Sequence, residues 1–144
     1  MKTMIIQILF GFLGSFAFGF LYNIRGKKLM FSGLGSLIAV GSYVLLAEVI
    51  ENTAICYFIV AAMISIYAEM MARVLKSPTT TFIPLALIPL VPGSALYYTM
   101  ANVFDADWNS FLGNAKYTLS LTVALALGVV MVNAIIKMIN KEKK

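Results

Sequence analysis

The chain has 144 residues, of which 61% are hydrophobic and only 12% are charged, and its formal net charge is +5. A soluble domain carries about 25% charged residues, so this chain cannot cover a water-facing surface and is expected to lie largely in lipid. Its basic residues fall in short gaps between apolar runs, which argues against a nucleic-acid-binding patch and is typical of membrane topology. The length leaves no room for a separate soluble domain beside the spans.

Five apolar segments predict an all-α, polytopic transmembrane helix bundle with about five spans. In chain order, the segments are residues 4–22, 29–47, 54–75, 82–101 and 117–137. Each has about the 20 residues that a helix needs to cross roughly 30 Å of hydrocarbon. The first three connections are short, so the helices that they join are expected to be antiparallel neighbours. Residues 1–144 are therefore predicted to form a single transmembrane domain.

The connection at residues 102–116 is longer, and it combines Asp105 and Asp107 with three aromatic residues. This mixture predicts a segment at the membrane interface. Two acids this close together can belong to a metal site, but no further ligand is near them and the chain has no histidine. Cys56 is the single cysteine. We therefore expect neither a metal nor a cofactor, and the absence of a phosphate-binding loop and of a Ser-His-Asp set predicts that the chain is not an enzyme.

The distribution of basic residues predicts the orientation in the membrane. In a five-span arrangement, Lys2 and Lys116 fall on one side. The other nine fall on the opposite side: Arg25, Lys27, Lys28, Arg73, Lys76, Lys137, Lys141, Lys143 and Lys144. Because basic residues concentrate in cytoplasmic loops, the N-terminus should lie outside and the C-terminus in the cytoplasm, as expected for a bacterial inner-membrane protein. A re-entrant fourth segment would remove this bias, so the bias favours five spans.

Small residues at four-residue steps predict faces on which helices pack. These positions are Gly11, Ser15 and Gly19 in the first segment, Gly35 and Ala39 in the second, and Ser120, Ala124 and Gly128 in the fifth. Small side chains let helix backbones approach closely where lipid supplies no hydrophobic driving force. The pattern predicts a bundle and gives no information about a transported solute.

Glu69 is the one acidic residue inside a predicted span. It repeats at four-residue steps with Ala61, Ser65 and Arg73, which places its carboxylate on a predicted packing face. A charge at membrane depth costs at least about 2.5 kcal/mol and commonly marks a functional site. Two interpretations stay open: an ion pair with Arg73 that anchors the helix, or a protonatable group that couples transport to a proton or binds a substrate amine.

The fourth segment contains Pro84, Pro89 and Pro92, and Gly93 follows the last of them. Proline removes a backbone donor and clashes with the preceding turn, so this segment cannot form one straight helix. The break after Pro92 lies about 15 Å deep, near the membrane midplane. It is either a packing kink or the start of a half-helix near Ser94, whose N–H groups and positive dipole end attract an anionic substrate group.

Five short motifs carry a resemblance to a known family. The most specific part is Ile-Pro-Leu-Val-Pro-Gly at residues 88–93, which continues as Ser-Ala-Leu-Tyr-Tyr to residue 98. Ahead of it stand Tyr-Ala-Glu-Met-Met-Ala-Arg-Val-Leu-Lys-Ser-Pro-Thr-Thr-Thr at residues 67–81 and then Ile83-Pro84. Weaker matches are Phe18-Gly19-Phe20 with Asn23, and Gly33-Leu34-Gly35. Over essentially the whole chain, these residues resemble the threonine/serine exporter family, in particular its small subunit type, which corresponds to the C-terminal half of the fused exporters.

The resemblance implies a secondary exporter of small hydrophilic metabolites, of the threonine/serine type, that is driven by an ion gradient. It also implies a second exporter subunit that supplies the other half. Membrane lipid and a small carboxylate-bearing solute are further expected partners, and a homo-oligomer is not excluded. The alternatives are an exporter subunit for small dicarboxylates, a passive homo-oligomeric channel, and a non-transporting scaffold or assembly subunit.

Nine residues are predicted to bind substrate or to couple transport. Glu69 is expected to carry a proton or to bind a substrate amine, and Arg73 with the break is expected to attract a carboxylate. The full set is Glu69, Arg73, Pro89, Pro92, Gly93, Ser94, Tyr97, Tyr98 and Asn23. Asn23 and the two tyrosines are expected to supply polar contacts.

Overall fold

The structure, a computed structural model, describes the backbone of residues 2–142 and the side chains of residues 6–139. The described part is all-helical and contains no strand. Its helices are α1 (Lys2–Leu21), α2 (Lys27–Val49), α3 (Thr53–Val74), α4 (Ile83–Leu87), α5 (Gly93–Phe104) and α6 (Trp108–Glu142). Two short 3₁₀ turns, Thr79–Thr81 and Ile88–Leu90, precede and follow α4.

The predicted bundle with a broken fourth segment is confirmed. The helices α2, α3 and α6 are long and apolar enough to cross a membrane, and the two arms Thr79–Leu90 and Gly93–Phe104 make a fourth crossing if they count as one span. The helix axis bends by 59° from the first arm to the second. The 20 residues of α1 are enough for one further crossing, which brings the total to about five.

Three helices, α1, α3 and α5, end in the same way, which lets the chain turn sharply after each of them. Asn23 after α1, Lys76 after α3 and Ala106 after α5 have positive φ angles of 54°, 46° and 56°. At each of these residues the backbone N–H bonds a carbonyl three positions back, and the next N–H bonds a carbonyl five positions back. This is the Schellman arrangement, which satisfies the last carbonyls of a helix and reverses the chain.

The last helix begins at Trp108, whereas the sequence predicted an interfacial segment up to residue 116 and a span from residue 117. Asp107 caps this helix, because its side chain accepts a hydrogen bond from the Ser110 N–H at 3.2 Å. Bonds from the side chain and the backbone of Ser110 lower the pKa of the exposed Asp107. Polar and aromatic residues are compatible with a helix, so hydropathy gave the apolar limit of the span and missed the start of the helix.

The helices pack in the order α1, α2, α3, α6, α5. The first arm of the broken segment enters this row and contacts α1, α2 and α3, while the main neighbour of α5 is α6. One core cluster lies beside the first arm and joins it to α2 and α3: Ala39, Val60, Ile64, Ala86 and Leu90. The two arms of the fourth segment therefore belong to different parts of the bundle.

The small residues of α1 and α2 serve as predicted, while those of α6 do so only in part. A Cβ built on Gly11 or Gly19 would meet side chains of α2, and Gly35 faces Ala86 and Tyr67. On α6, Gly128 lies against the α3 backbone, whereas Ser120 is exposed. Steps of four residues drift by about 40° per step on a helix of 3.6 residues per turn, so three such positions need not share one contact.

Candidate functional site

The three prolines divide the fourth segment into short helical pieces. Pro84 lies in the first turn of α4, Pro89 lies in the first turn of Ile88–Leu90, and Pro92 is the N-cap residue of α5. At the start of a helical turn the missing N–H has no intrahelical partner to lose. Each proline therefore begins a new piece, and the segment bends between Leu90 and Gly93.

Ser15 on α1 donates a hydrogen bond to a carbonyl of the first arm that Pro89 leaves without its helical donor. In a continuous helix the N–H of residue 89 would bond the carbonyl of Leu85, but Pro89 has no N–H. The buried Ser15 hydroxyl donates to the Leu85 carbonyl oxygen at 2.7 Å. An unsatisfied carbonyl in a lipid-surrounded bundle is costly, so this bond holds α1 against the first arm. The sequence analysis predicted Ser15 only as a packing residue. The signal that it missed is Pro89, whose missing N–H leaves the Leu85 carbonyl in need of another donor.

Replacing Ser15 by alanine is expected to destabilise the protein by about 0.6–1.7 kcal/mol, the range for interhelical hydrogen bonds in membranes. Ser36→Ala is the matched control, because the equally buried Ser36 hydroxyl bonds only the Gly33 carbonyl of its own helix. Adding Pro89→Ala to Ser15→Ala restores a helical donor for Leu85 and should recover part of the loss. The temperature of thermal unfolding in detergent is measured for the wild type, the two single variants and the double variant. Equal losses for Ser15→Ala and Ser36→Ala would show that the bond from Ser15 to Leu85 adds no stability of its own.

The start of α5 has the predicted half-helix form. It begins at Gly93, one residue before the predicted Ser94, and it has no side-chain cap. Pro92 is buried, whereas Gly93 and Ser94 are exposed. A Cβ built on Gly93 would meet no atom within 4 Å, so close packing does not require this glycine. The start of α5 is thus exposed and lacks a side-chain cap, although its first N–H, that of Gly93, donates to the Val91 carbonyl at 2.7 Å.

Tyr97 and Tyr98 lie away from the bundle core. Their side chains are exposed, and the two rings contact each other edge to face with centroids 5.5 Å apart. The face of α5 that does pack presents Thr99, whose hydroxyl lies 3.1 Å from the Thr118 hydroxyl of α6. The structure therefore does not bring these tyrosines together with the first arm of the segment.

Glu69 and Arg73 form an ion pair one turn apart on α3. Both Nε and Nη2 of Arg73 lie 2.9 Å from the same carboxylate oxygen, Oε1. The Glu69 side chain is 22% exposed and that of Arg73 is 57% exposed. Both contacts use this one oxygen, and the pair ties the Glu69 carboxylate to its own helix.

Glu69 lies at the edge of the buried face of α3 rather than on it. Ala61 and Ser65 are buried as predicted, but the buried face then continues through Ala68 and Ala72. The drift of a four-residue repeat around the helix places Glu69 at the edge of this face. The carboxylate is thus partly covered by the bundle rather than buried within it.

Asn23 serves first as a helix terminator. It is the residue with positive φ that ends α1, and asparagine tolerates this conformation better than most residues do. Its side chain is exposed. The nine predicted residues consequently fall in four places: the end of α1, the last two turns of α3, the break, and the exposed face of α5.

Within residues that the structure describes, no group of three or more His, Cys, Asp or Glu could hold a metal ion. Neutral hydroxyl groups, which the sequence analysis did not assign to a site, form hydrogen bonds between the helices instead. One of them, the partly buried Tyr67 hydroxyl, donates to the Phe31 carbonyl across the α2–α3 contact at 2.7 Å. Such bonds join helices and involve no charge.

Comparison with known proteins assigns the family. Searches of curated proteins and of solved structures find no match to this chain. The family model described as "Threonine/Serine exporter, ThrE" matches residues 7–135, which is most of the chain and includes the broken segment and the Glu69–Arg73 pair. The chain is therefore a multi-pass membrane protein that belongs to the threonine/serine exporter family.

Proposed function

We propose that this chain is one subunit of a secondary exporter of small hydrophilic metabolites, of the threonine/serine type, driven by an ion gradient. The family match over residues 7–135 is the observation that carries the proposal. The broken fourth segment supports it, because interrupted backbone near the membrane midplane is a common feature of secondary transporters. The family is one of transporters, so we expect transport rather than catalysis.

A second subunit, which supplies the other half of the solute path, is part of this proposal. The uncapped start of α5, the Glu69–Arg73 pair and the exposed tyrosines lie in different parts of the chain. The clefts of the described residues are open at the surface rather than enclosed. Both facts support a path that a separate partner subunit completes.

The proposed roles follow from charge and position. Glu69 carries the coupling proton or binds a substrate amine, and Arg73 holds its side chain in place. The N–H groups in the first turn of α5, from Ser94 onward, attract a substrate carboxylate because the positive end of the helix dipole lies there. Pro89 and Pro92 fix the break, while Asn23, Tyr97 and Tyr98 offer polar contacts at either end of the path.

Transport by proteoliposomes tests the proposal. The chain alone is expected to insert without exporting solute, and the chain with its partner subunit is expected to move threonine or serine against their gradient when a pH gradient is imposed. Liposomes with the partner alone are the control. Export by the purified chain alone would contradict the need for a partner. Equal export with and without this chain would instead favour a non-transporting scaffold, and ungated leakage would favour a channel.

We also propose that the N-terminus lies outside and the C-terminus in the cytoplasm of a bacterial inner membrane. The nine-to-two distribution of basic residues supports this orientation. Reporter fusions after Lys144 and after Asp107 are expected to report opposite sides of the membrane. A fusion after Gly26, in the first connection, serves as a control and should agree with the one after Lys144. Fusions after Lys144 and Asp107 that report the same side would exclude five spans.

A further inference from the structure

A cleft opens between α1 and α2 beside the break. Its lining residues come from the first half of α1, the second half of α2 and the 3₁₀ turn Ile88–Leu90: Gln7, Phe10, Gly11, Val40, Tyr43, Val44 and Pro89. We call this space the α1–α2 cleft. Its volume is about 350 Å³, which lies within the range of about 300–1,000 Å³ for small-molecule sites.

The bend of the fourth segment produces this cleft. The first arm runs between α1 and α2 as far as Leu90, and both helices contact the turn that contains Pro89. A straight continuation would fill the space beyond this turn. The second arm, α5, instead turns away by 59° and packs on α6. The α1–α2 cleft therefore lies where the broken span does not continue, with Pro89 as its floor.

The α1–α2 cleft combines an amide and a hydroxyl with no charged group, whereas the groove at the end of α5 is lined by Tyr97 and the charged Asp105. Gln7 offers an amide, and Tyr43 offers a hydroxyl. The Tyr43 ring is fixed by an edge-to-face contact with Tyr57, with centroids 5.2 Å apart and an angle of 86°. The groove beside α6 is lined by one threonine and otherwise apolar residues, and a further groove of α1 and α2 is lined by Phe12, Phe16 and apolar residues of α2. Lipid chains can fill those grooves, whereas an amide and a hydroxyl favour a polar ligand.

We propose that the α1–α2 cleft binds the transported solute, and that it suits a small polar solute without net charge. This proposal rests on the proposed transport function. Gln7 and Tyr43 recognise hydroxyl, amine or carboxyl groups by hydrogen bonding. None of the described lining residues is charged, and an uncompensated charge in such surroundings is costly. A zwitterion therefore fits better than a dicarboxylate, a choice that the amino-acid sequence left open.

Thiol labelling of the assembled exporter tests the site. Cys56 is the single cysteine and is buried, so Cys56→Ala gives a thiol-free background. Val44→Cys places a thiol in the α1–α2 cleft, and Leu45→Cys places one at the same depth on an exposed face of α2 outside it. A small membrane-impermeant thiosulfonate, applied from each side in separate samples, is expected to modify Val44→Cys at least about tenfold faster, because the reagent needs water to reach the thiol.

Solute protection gives the second readout. Saturating threonine is expected to slow the modification of Val44→Cys severalfold, whereas malonate, a small dicarboxylate, should leave the rate unchanged. Tyr43→Phe removes only the hydroxyl and is expected to raise the KM for threonine export about three- to tenfold, as for one lost hydrogen bond, with little change in the maximal rate. Protection by malonate and not by threonine would overturn the assigned solute class.

Failure of this site and failure of the proposed function give different results. If the exporter transports threonine while Val44→Cys is no more reactive than Leu45→Cys, or is reactive but unprotected, the cleft is not the binding site and the transport function stands. If no solute is exported by the wild-type assembly but threonine still protects Val44→Cys, the binding site stands and the transport function fails.

Discussion

Glu69→Gln is expected to reduce export driven by a pH gradient by at least about tenfold, while exchange at equal pH on both sides persists. Glutamine matches a protonated glutamate in shape and hydrogen bonding, so the protein should still fold and insert. It cannot release a proton, however, and so cannot couple transport to the gradient. A tenfold loss in rate corresponds to about 1.4 kcal/mol in the activation free energy.

The ion pair with Arg73 supplies the means to test this role. If Glu69 only neutralises Arg73, Glu69→Gln should lower the amount of inserted protein, and Arg73→Gln in the same chain should partly restore it. The measurement is export at matched membrane levels for the wild type, both single variants and the double variant. Glu48→Gln is the control, because Glu48 is an exposed acid at the end of α2. Full pH-driven export by Glu69→Gln would exclude the coupling role.

Gly128→Ala is expected to separate α3 from α6 and to destabilise the fold by about 1–3 kcal/mol or more. A Cβ at this position would lie 2.6 Å from the Phe58 carbonyl oxygen, 2.8 Å from the Ala61 Cβ and 3.2 Å from the Ala62 nitrogen. Two of these atoms are backbone and cannot rotate away, so the helices must move apart. Overpacking of a close contact costs about 1–3 kcal/mol even where side chains can adjust.

Gly113→Ala on the same helix is the matched control. A Cβ there would meet no atom within 4 Å, and alanine favours a helix over glycine by about 1 kcal/mol. The temperature of thermal unfolding and the yield of monodisperse protein in detergent should both fall for Gly128→Ala. For Gly113→Ala they should stay equal or rise. If both variants behave alike, the contact between α3 and α6 is looser than the structure shows.

Several features of the fold were predictable because neighbouring residues determine them. The length of an apolar run decides whether a helix can span the membrane, and three closely spaced prolines interrupt a helix in any surroundings. The Glu69–Arg73 pair was likewise predictable, because residues four positions apart on a helix face each other. The helical stretch of α6 that begins at Trp108, before its apolar span, was missed because hydropathy detects apolar segments and not helices made of polar residues.

The sequence by itself therefore determined the helical class, the apolar segments, the break and the family resemblance, since each depends on local composition or on a contiguous motif. Only the tertiary structure decided which helices meet. The Ser15–Leu85 bond joins residues 70 positions apart, Gly128 rather than Ser120 meets α3, and the α1–α2 cleft exists because α5 packs on α6. The physical reason is that lipid-facing and helix-facing apolar residues look alike in sequence, and long-range packing alone distinguishes them.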